Sequence, residues 1–379
     1  MTPEREGTPL PPHVILGRAS LLAGRTVTAL VEFEAAARAA RTPAESRLAA
    51  HHEALVHAVR GSLDAADGIL AHTYDDDPAR DSSSGGGAEP TDAVARAARA
   101  ILAVERLTPE ATAAVRDLDA GSPELLPFAL LADTRLSLAE GLPHRTLDTL
   151  DLLLPQLPAR GPLVGDIATA SRIDALALLG DLRAAGRIDA AGGDLTRLAR
   201  ARLVLRHGRP AAAATIAGAI LAARGTPPGQ RAEASLLIAW ATFLRTGRVD
   251  AALATSAARW MLATGARRPL AMLPASARAE LAAAVPTDVG DAFVRAAHGV
   301  VSAPEAPRIP PLTRSERRVL AAVRGPVTLD GAAHLLGVSR NTVKTHLTSV
   351  YRKLGVTRRA EALVAGERLG VFDGIESMP

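Results

Sequence analysis

An all-α fold follows from three features of the sequence. Aromatic residues are only 2% of the 379, while the 48% hydrophobic content is dominated by Ala, Leu and Val, which with Arg make a strongly helix-forming mixture. Helix-start signals recur along the first 300 residues. No stretch shows the period-two alternation of a half-buried strand. A chain of this length divides into two or three units.

In order along the chain, residues 1–12 are polar and Pro-rich, and the apolar stretch after them is broken by Arg18, so no secretory signal is expected. Thr42-Pro43-Ala44-Glu45 supplies a cap, a proline for the first helical position and an acid to reach back. Thr108-Pro109-Glu110 and Ser122-Pro123-Glu124 carry similar start marks. Between such helices, residues 74–90 run through Asp75-Asp76-Asp77 and Ser82-Ser83-Ser84-Gly85-Gly86-Gly87, with too little apolar surface to offset the entropy of ordering; a mobile loop is expected. The longest charge-free apolar runs are shorter than the roughly 18 residues of a membrane span.

Helices are then expected to stop at Gly141, Gly186, Gly208 and Gly247. Residues 180–265 resemble tetratricopeptide helical hairpins, with small and large apolar residues on one face, a turn at Gly247 and a following Ala-rich helix. The intervals between the last three glycines, 22 and 39 residues, are not a clean period, and an irregular helical bundle accounts for the same pattern. Trp240 and Trp260 are expected in the core of this region. Residues 301–311 hold four prolines, each lacking a donor and restricting its predecessor, and so form a semi-rigid linker between a body, 1–300, and a C-terminal domain, 312–373.

Charge distribution separates the two parts. Residues 312–372 carry eleven Arg or Lys against four acids, leaving 33 basic and 36 acidic residues elsewhere, so a basic end sits on a slightly acidic body. Such asymmetry points to a polyanion-binding module. Within it, Thr313 and Glu316 have capping-box spacing ahead of a first helix at about 314–324 that ends at Gly325-Pro326. A second helix from about Thr328 carries Ala332, Ala333, Leu335 and Leu336 and stops at Gly337. Ser339 then caps a third, Arg340 to Leu354, burying Val343, Leu347, Val350 and Leu354. The three-residue turn is that of a helix-turn-helix. The opposite face of the third helix, Arg340, Asn341, Lys344, Thr345 and Thr348, is cationic and hydrogen-bonding, as major-groove reading requires. Arg352, Lys353, Arg358 and Arg359 lie toward the far end, where phosphate contact is expected.

The residues Leu312-Thr313-x-x-Glu316-x-x-Val319-Leu320, Ala333-x-x-Leu336-Gly337-Val338-Ser339-x-x-Thr342-Val343-Lys344-x-His346 and Lys353-Leu354-Gly355-Val356 resemble the LuxR-type (GerE-type) helix-turn-helix family over about 60 residues. The resemblance implies a four-helix domain whose third helix enters the major groove. In that family the positions matching Lys344, Thr345 and Thr348 face the bases; the residue pattern itself adds Asn341 to the expected base contacts and gives Arg340, Thr342, Arg352, Lys353, Arg358 and Arg359 as expected phosphate contacts. The resemblance further implies a fourth helix, about 359–369, whose Leu363, Val364 and Leu369 form a dimer seam or cover the core. The sequence departs from the family at the second helix, where Gly331-Ala332-Ala333 replaces the usual Glu-Ile-Ala, and Gly325-Pro326 shifts a glycine by one position. A Gly inside a short helix costs about 1 kcal/mol against Ala.

Other chemistry is excluded or disfavoured. Cysteine is absent, which removes disulfides, thiolate nucleophiles and thiolate metal sites. The only lysines are Lys344 and Lys353, so the body lacks the lysine of a phosphate-binding loop or a Schiff base. His51, His52 and His57 do not match zinc spacing: five residues turn a helix by about 140°, placing His52 and His57 on different faces. His346 is expected to pack rather than read bases. No Gly-x-Ser-x-Gly elbow occurs. The sequence thus predicts a bacterial-type cytoplasmic transcription factor and not an enzyme. It would need no cofactor, bind double-stranded DNA as a homodimer, and carry a helical body open to a protein or small-molecule effector. The competing reading is a helical-repeat interaction scaffold whose C-terminal domain has lost DNA affinity.

Overall fold

The computed structural model describes residues 10–75, 90–118, 124–157, 161–189, 192–304, 312–368 and 372. All regular elements among them are helical. Most of the predicted 74–90 loop, Ser122-Pro123 and the later part of the 301–311 linker lie outside the described residues.

The body is built of helical hairpins. These are α1 (Pro12–Leu22) with α2 (Thr26–Ala39), α3 (Pro43–Arg60) with α4 (Leu63–Asp75), α5 (Pro90–Arg106) with α6 (Ala111–Arg116) and α7 (Leu126–Ala139) with α8 (Pro143–Leu153). They continue as α9 (Pro162–Leu178) with α10 (Leu182–Arg187), α11 (Asp194–Arg206) with α12 (Pro210–Ala222) and α13 (Pro228–Thr246) with α14 (Ala251–Thr264). The first helix of each hairpin packs on the first helix of the next, and the second helix packs on both, which is the contact pattern of a helical-repeat array. First helices start about 31–36 residues apart; the one longer step contains residues 76–89. Proline at the first or second position opens most of them, where its missing N–H is no loss. In α3 the expected cap forms: Thr42 Oγ1 accepts from the Glu45 amide at 3.2 Å and Glu45 accepts from the Arg41 amide at 2.7 Å.

Each hairpin turns through a residue in the left-handed region, glycine at all but one. The turn expected at Gly186 is instead at Gly180, φ 82°, and Gly186 lies inside α10. The third hairpin turns at Leu107, φ 49°, the one non-glycine residue among those described to adopt this conformation. Its preceding mark also shifts, since α6 begins at Ala111, after Thr108-Pro109-Glu110.

The array curls so that first helices meet across its axis: α1 packs on α9, and α3 on α13. A short α15 (Arg268–Ala271) packs on α5 and α7, and α16 (Ala275–Ala284) with α17 (Thr287–Ala297) closes the end. At the centre sits a buried chain of alternating charges, one from each successive inner helix. Arg135 donates to Glu105 at 2.7 Å and Arg268 donates to Glu105 at 2.9 Å and to Glu233 at 3.0 Å. Arg202 bonds Glu233 and donates to Asp174 at 2.9 Å. Burial pushes the Glu233 carboxyl up, but Arg202 and Arg268 outweigh it and hold the group below its ordinary value. Trp240 is buried and stacks on Phe243 with ring centroids 5.3 Å apart, and Trp260 is half-buried against the same core.

The first residues of the predicted linker are held on the body. Arg278 donates to the carbonyls of Val300 at 3.0 Å and Val301 at 2.8 Å, and the Ala303 amide donates to Leu273 O at 3.2 Å. No helix among the described residues is long and apolar enough to cross a membrane.

Candidate nucleic-acid interface

Four helices with their own apolar core follow: α18 (Arg314–Ala322), α19 (Leu329–Leu336), α20 (Arg340–Leu354) and α21 (Arg359–Arg368). Val319, Leu320, Val323, Ala332, Ala333, Val343, Leu347, Val350 and Ala362 are buried together, and Leu354 is half-buried beside them. Leu335 is 68% exposed, because α19 turns Leu329, Ala332, Ala333 and Leu336 toward this core.

Each helix end has a local cause. The capping box forms, with Thr313 accepting from the Glu316 amide and Glu316 accepting from the Thr313 amide at 2.6 Å. Thr328 accepts from the Gly331 amide at 3.1 Å, and α19 ends at Gly337 in the left-handed conformation. Val338 and Ser339 complete a three-residue turn, and Ser339 caps α20 by accepting from the Thr342 amide at 3.1 Å. Gly331 has a steric reason as well: a Cβ there would lie 2.9 Å from Val327 Cγ1, a β-branched group with little freedom to retreat.

Burying Val343, Leu347 and Val350 turns the other side of α20 to solvent. Asn341, Lys344, Thr345, Thr348 and Arg352 are all exposed there, and Thr342 is half-buried at the first turn. The Thr345 hydroxyl donates to Asn341 O and the Thr348 hydroxyl to Lys344 O, both at 3.0 Å. Their hydroxyl protons are thereby occupied, so each presents a methyl group and oxygen lone pairs outward. Arg340, 67% exposed, lies 3.6 Å from Asp330, and Arg358 is exposed. His346 is half-buried.

Two cations assigned to phosphates from sequence have partners inside the domain. Lys353 Nζ donates to Glu316 Oε2 at 2.7 Å, with its side chain 17% exposed. Arg359 reaches back to the loop after α18, donating to Val323 O and Val327 O, each at 2.9 Å, and to Gly325 O. That contact holds the shifted Gly325-Pro326 loop. Of the seam residues, Leu363 packs against the core, Val364 is 53% exposed and Leu369 lies outside the described residues. Glu367 of α21 accepts from Arg324 at 2.6 Å and pairs with Arg183 of the body at 2.8 Å.

Sequence reasoning missed the ionic chain in the body. Its trace was a lone charge within an apolar helix face: Glu105 after Ala-Val, Arg135 among leucines, Glu233 between alanines. The three histidines of α3 are separately engaged, His51 with Thr73, His52 with Leu48 O and His57 near Glu53, and no metal-binding cluster occurs among the described residues.

Residues 310–365 match the family of bacterial regulatory proteins, luxR family, and carry its GerE domain. The same end is similar to the HTH-type transcriptional regulator MalT of Yersinia pestis (strain Pestoides F), 41% identical over 66 residues, covering 17% of this chain and 7% of that protein. It is also similar to MalT of Vibrio cholerae serotype O1 (strain ATCC 39315 / El Tor Inaba N16961), 38% identical over 66 residues with the same coverage. The chain thus aligns with about 7% of the length of these relatives. No solved structure matches.

Proposed function

We propose, from a luxR-type C-terminal domain carried on a helical-repeat body, that this chain is a sequence-specific DNA-binding transcriptional regulator of the bacterial cytoplasm. The observation that carries the reading is the solvent-facing stripe Asn341, Lys344, Thr345, Thr348 on a helix whose other side is the domain core. In this reading α20 lies in the major groove. Lys344 donates to guanine O6 and N7, and the threonine methyls meet thymine while their oxygens accept from adenine or cytosine amino groups. Arg340, Thr342, Arg352 and Arg358 take phosphates. Lys353 and Arg359 reach phosphates only by giving up their internal partners, so their first role is to hold the domain together.

Binding as a dimer on paired half-sites follows from the exposed Val364 on α21, with the helical body supplying further contact and receiving a protein or small-molecule effector. Regular caps on both helices of the motif support DNA binding over the scaffold alternative. Fluorescence anisotropy of the full chain on fragments selected from genomic DNA tests the reading. Sequence-selective affinity that falls steeply with salt is expected; affinity indifferent to sequence and salt refutes it.

A further inference from the structure

Between α1, α3, α5 and the start of α7 the side chains do not close on one another. A cavity of about 90 Å³ lies there, walled by Leu21, Leu55 and Phe128 among others, with Arg18, His52 and Glu124 supplying its polar atoms. His52 is 4% exposed and its ring stacks on Phe33 with centroids 5.0 Å apart. Its Nδ1 lies 2.8 Å from Leu48 O and therefore carries the proton, which leaves Nε2 as an acceptor with no protein donor among the described residues. Burial, aided by nearby Arg18, pushes the imidazole down to about 4, so it is neutral near pH 7. At the mouth, Arg18, 22% exposed, is paired with Glu124, 62% exposed.

These groups specify a ligand. The walls take a short branched chain rather than a ring, since benzene needs a cavity of about 150 Å³ against the roughly 90 Å³ here. A carboxylate replacing Glu124 on Arg18 releases the displaced acid to water, where it is already mostly solvated. The unpartnered Nε2 asks for a hydroxyl or N–H donor. We infer that the cavity binds a small apolar carboxylic acid bearing one such hydrogen-bond donor, joining the first hairpin to the next three. The inference stands apart from the DNA-binding reading, because binding is measured without DNA.

Calorimetric titration and thermal melting of the full chain with 3-hydroxyisobutyrate, isobutyrate and isobutanol test it. Saturable one-to-one binding of both acids with a raised melting midpoint is expected, the hydroxy acid tighter than isobutyrate and the neutral alcohol at least about tenfold weaker than isobutyrate. Arg18→Met is expected to abolish the preference for acids, His52→Leu to abolish the advantage of the hydroxyl, and Leu22→Trp, filling the cavity from its rim, to abolish all three responses. Absence of saturable binding of either acid, or a folded Leu22→Trp protein that binds like wild type, overturns the proposal. Should a variant fail to fold, the order of the three probes on the wild-type chain decides alone.

Discussion

Lys353 Nζ lies 2.7 Å from Oε2 of Glu316, and the other oxygen of that carboxylate accepts from Ser349 Oγ, also at 2.7 Å. Both partners belong to α20, while Glu316 is part of the capping box that starts α18. One buried carboxylate therefore fixes the start of the domain to the carboxyl half of the helix whose amino half presents Lys344 and Thr345.

The pH consequence follows from the sign of the shift. Burial raises the Glu316 carboxyl, but bonds from Lys353, Ser349 and Thr313 outweigh it and hold the group at about 2, against an ordinary 4.5. A folded value below the unfolded one stabilises the domain fully above about pH 4.5, and the contribution fades as pH falls toward 2. Amide hydrogen exchange of α20 in the full chain is expected to be slower in wild type than in Glu316→Gln at pH 6, with the difference shrinking as pH falls below 4.5. A constant difference would place the stabilisation elsewhere.

On DNA, Lys344→Ala is expected to cost about 1–3 kcal/mol, concentrated at one base position, while Arg358→Ala weakens all sequences alike and lowers the salt slope by about one. Anisotropy on single-base variants of a selected site separates the two effects. Equal, sequence-independent losses in both variants would remove Lys344 from base reading. Lys353→Ala is expected to lose domain stability before DNA affinity, because its charge faces Glu316.

Leu107 carries strain that glycine would not. Side chains in the left-handed region cost roughly 1 kcal/mol, so Leu107→Gly is expected to raise body stability by up to about 1 kcal/mol, offset in part by greater freedom of the unfolded chain. Gly180→Ala, at φ 82° with no atom near the new Cβ, is expected to lower it by about 1 kcal/mol from backbone conformation alone. Urea unfolding of each variant measures both signs.

Gly331→Ala tests a balance of two opposed effects. Helix propensity favours Ala by about 1 kcal/mol, whereas the new Cβ would sit 2.9 Å from Val327 Cγ1. Thermal melting is expected to show no net gain, and the paired change Val327→Ala with Gly331→Ala to recover the propensity. A full gain from Gly331→Ala alone would show that the loop yields freely.

The C-terminal domain was legible because its signals are local. Thr313, Thr328, Ser339 and the glycines at 337 and 355 act within one turn of their own position, and the bounds of α20 agree with the sequence reading to the residue. In the body, Gly186 was taken for a turn because Gly-Arg followed by alanines recurs at true turns, whereas the hairpin register becomes visible only when first helices are seen to stack. Lys353 and Arg359 show the same limit. A cation near a helix end looks alike in sequence whether it faces phosphate, a buried carboxylate or a loop carbonyl.

The ionic chain of the body yields the last prediction. Arg268 joins Glu105 and Glu233, and through them Arg135, Arg202 and Asp174, so that α5, α7, α9, α11, α13 and α15 are linked at the axis. Removing the shared cation leaves two buried carboxylates, each without one of its arginines. Arg268→Met is therefore expected to destabilise the body by about 3–5 kcal/mol, far more than breaking the exposed Arg172–Asp151 pair, for which about 0–1 kcal/mol is expected. Replacing Glu233 alone by glutamine in the Arg268→Met background is expected to restore part of the loss, because it leaves Glu105 paired with Arg135 and Asp174 paired with Arg202 and removes the uncompensated buried charge. Chemical unfolding followed by Trp240 and Trp260 fluorescence measures all of these, and an Arg268→Met variant as stable as wild type would mean that water reaches the axis of the array.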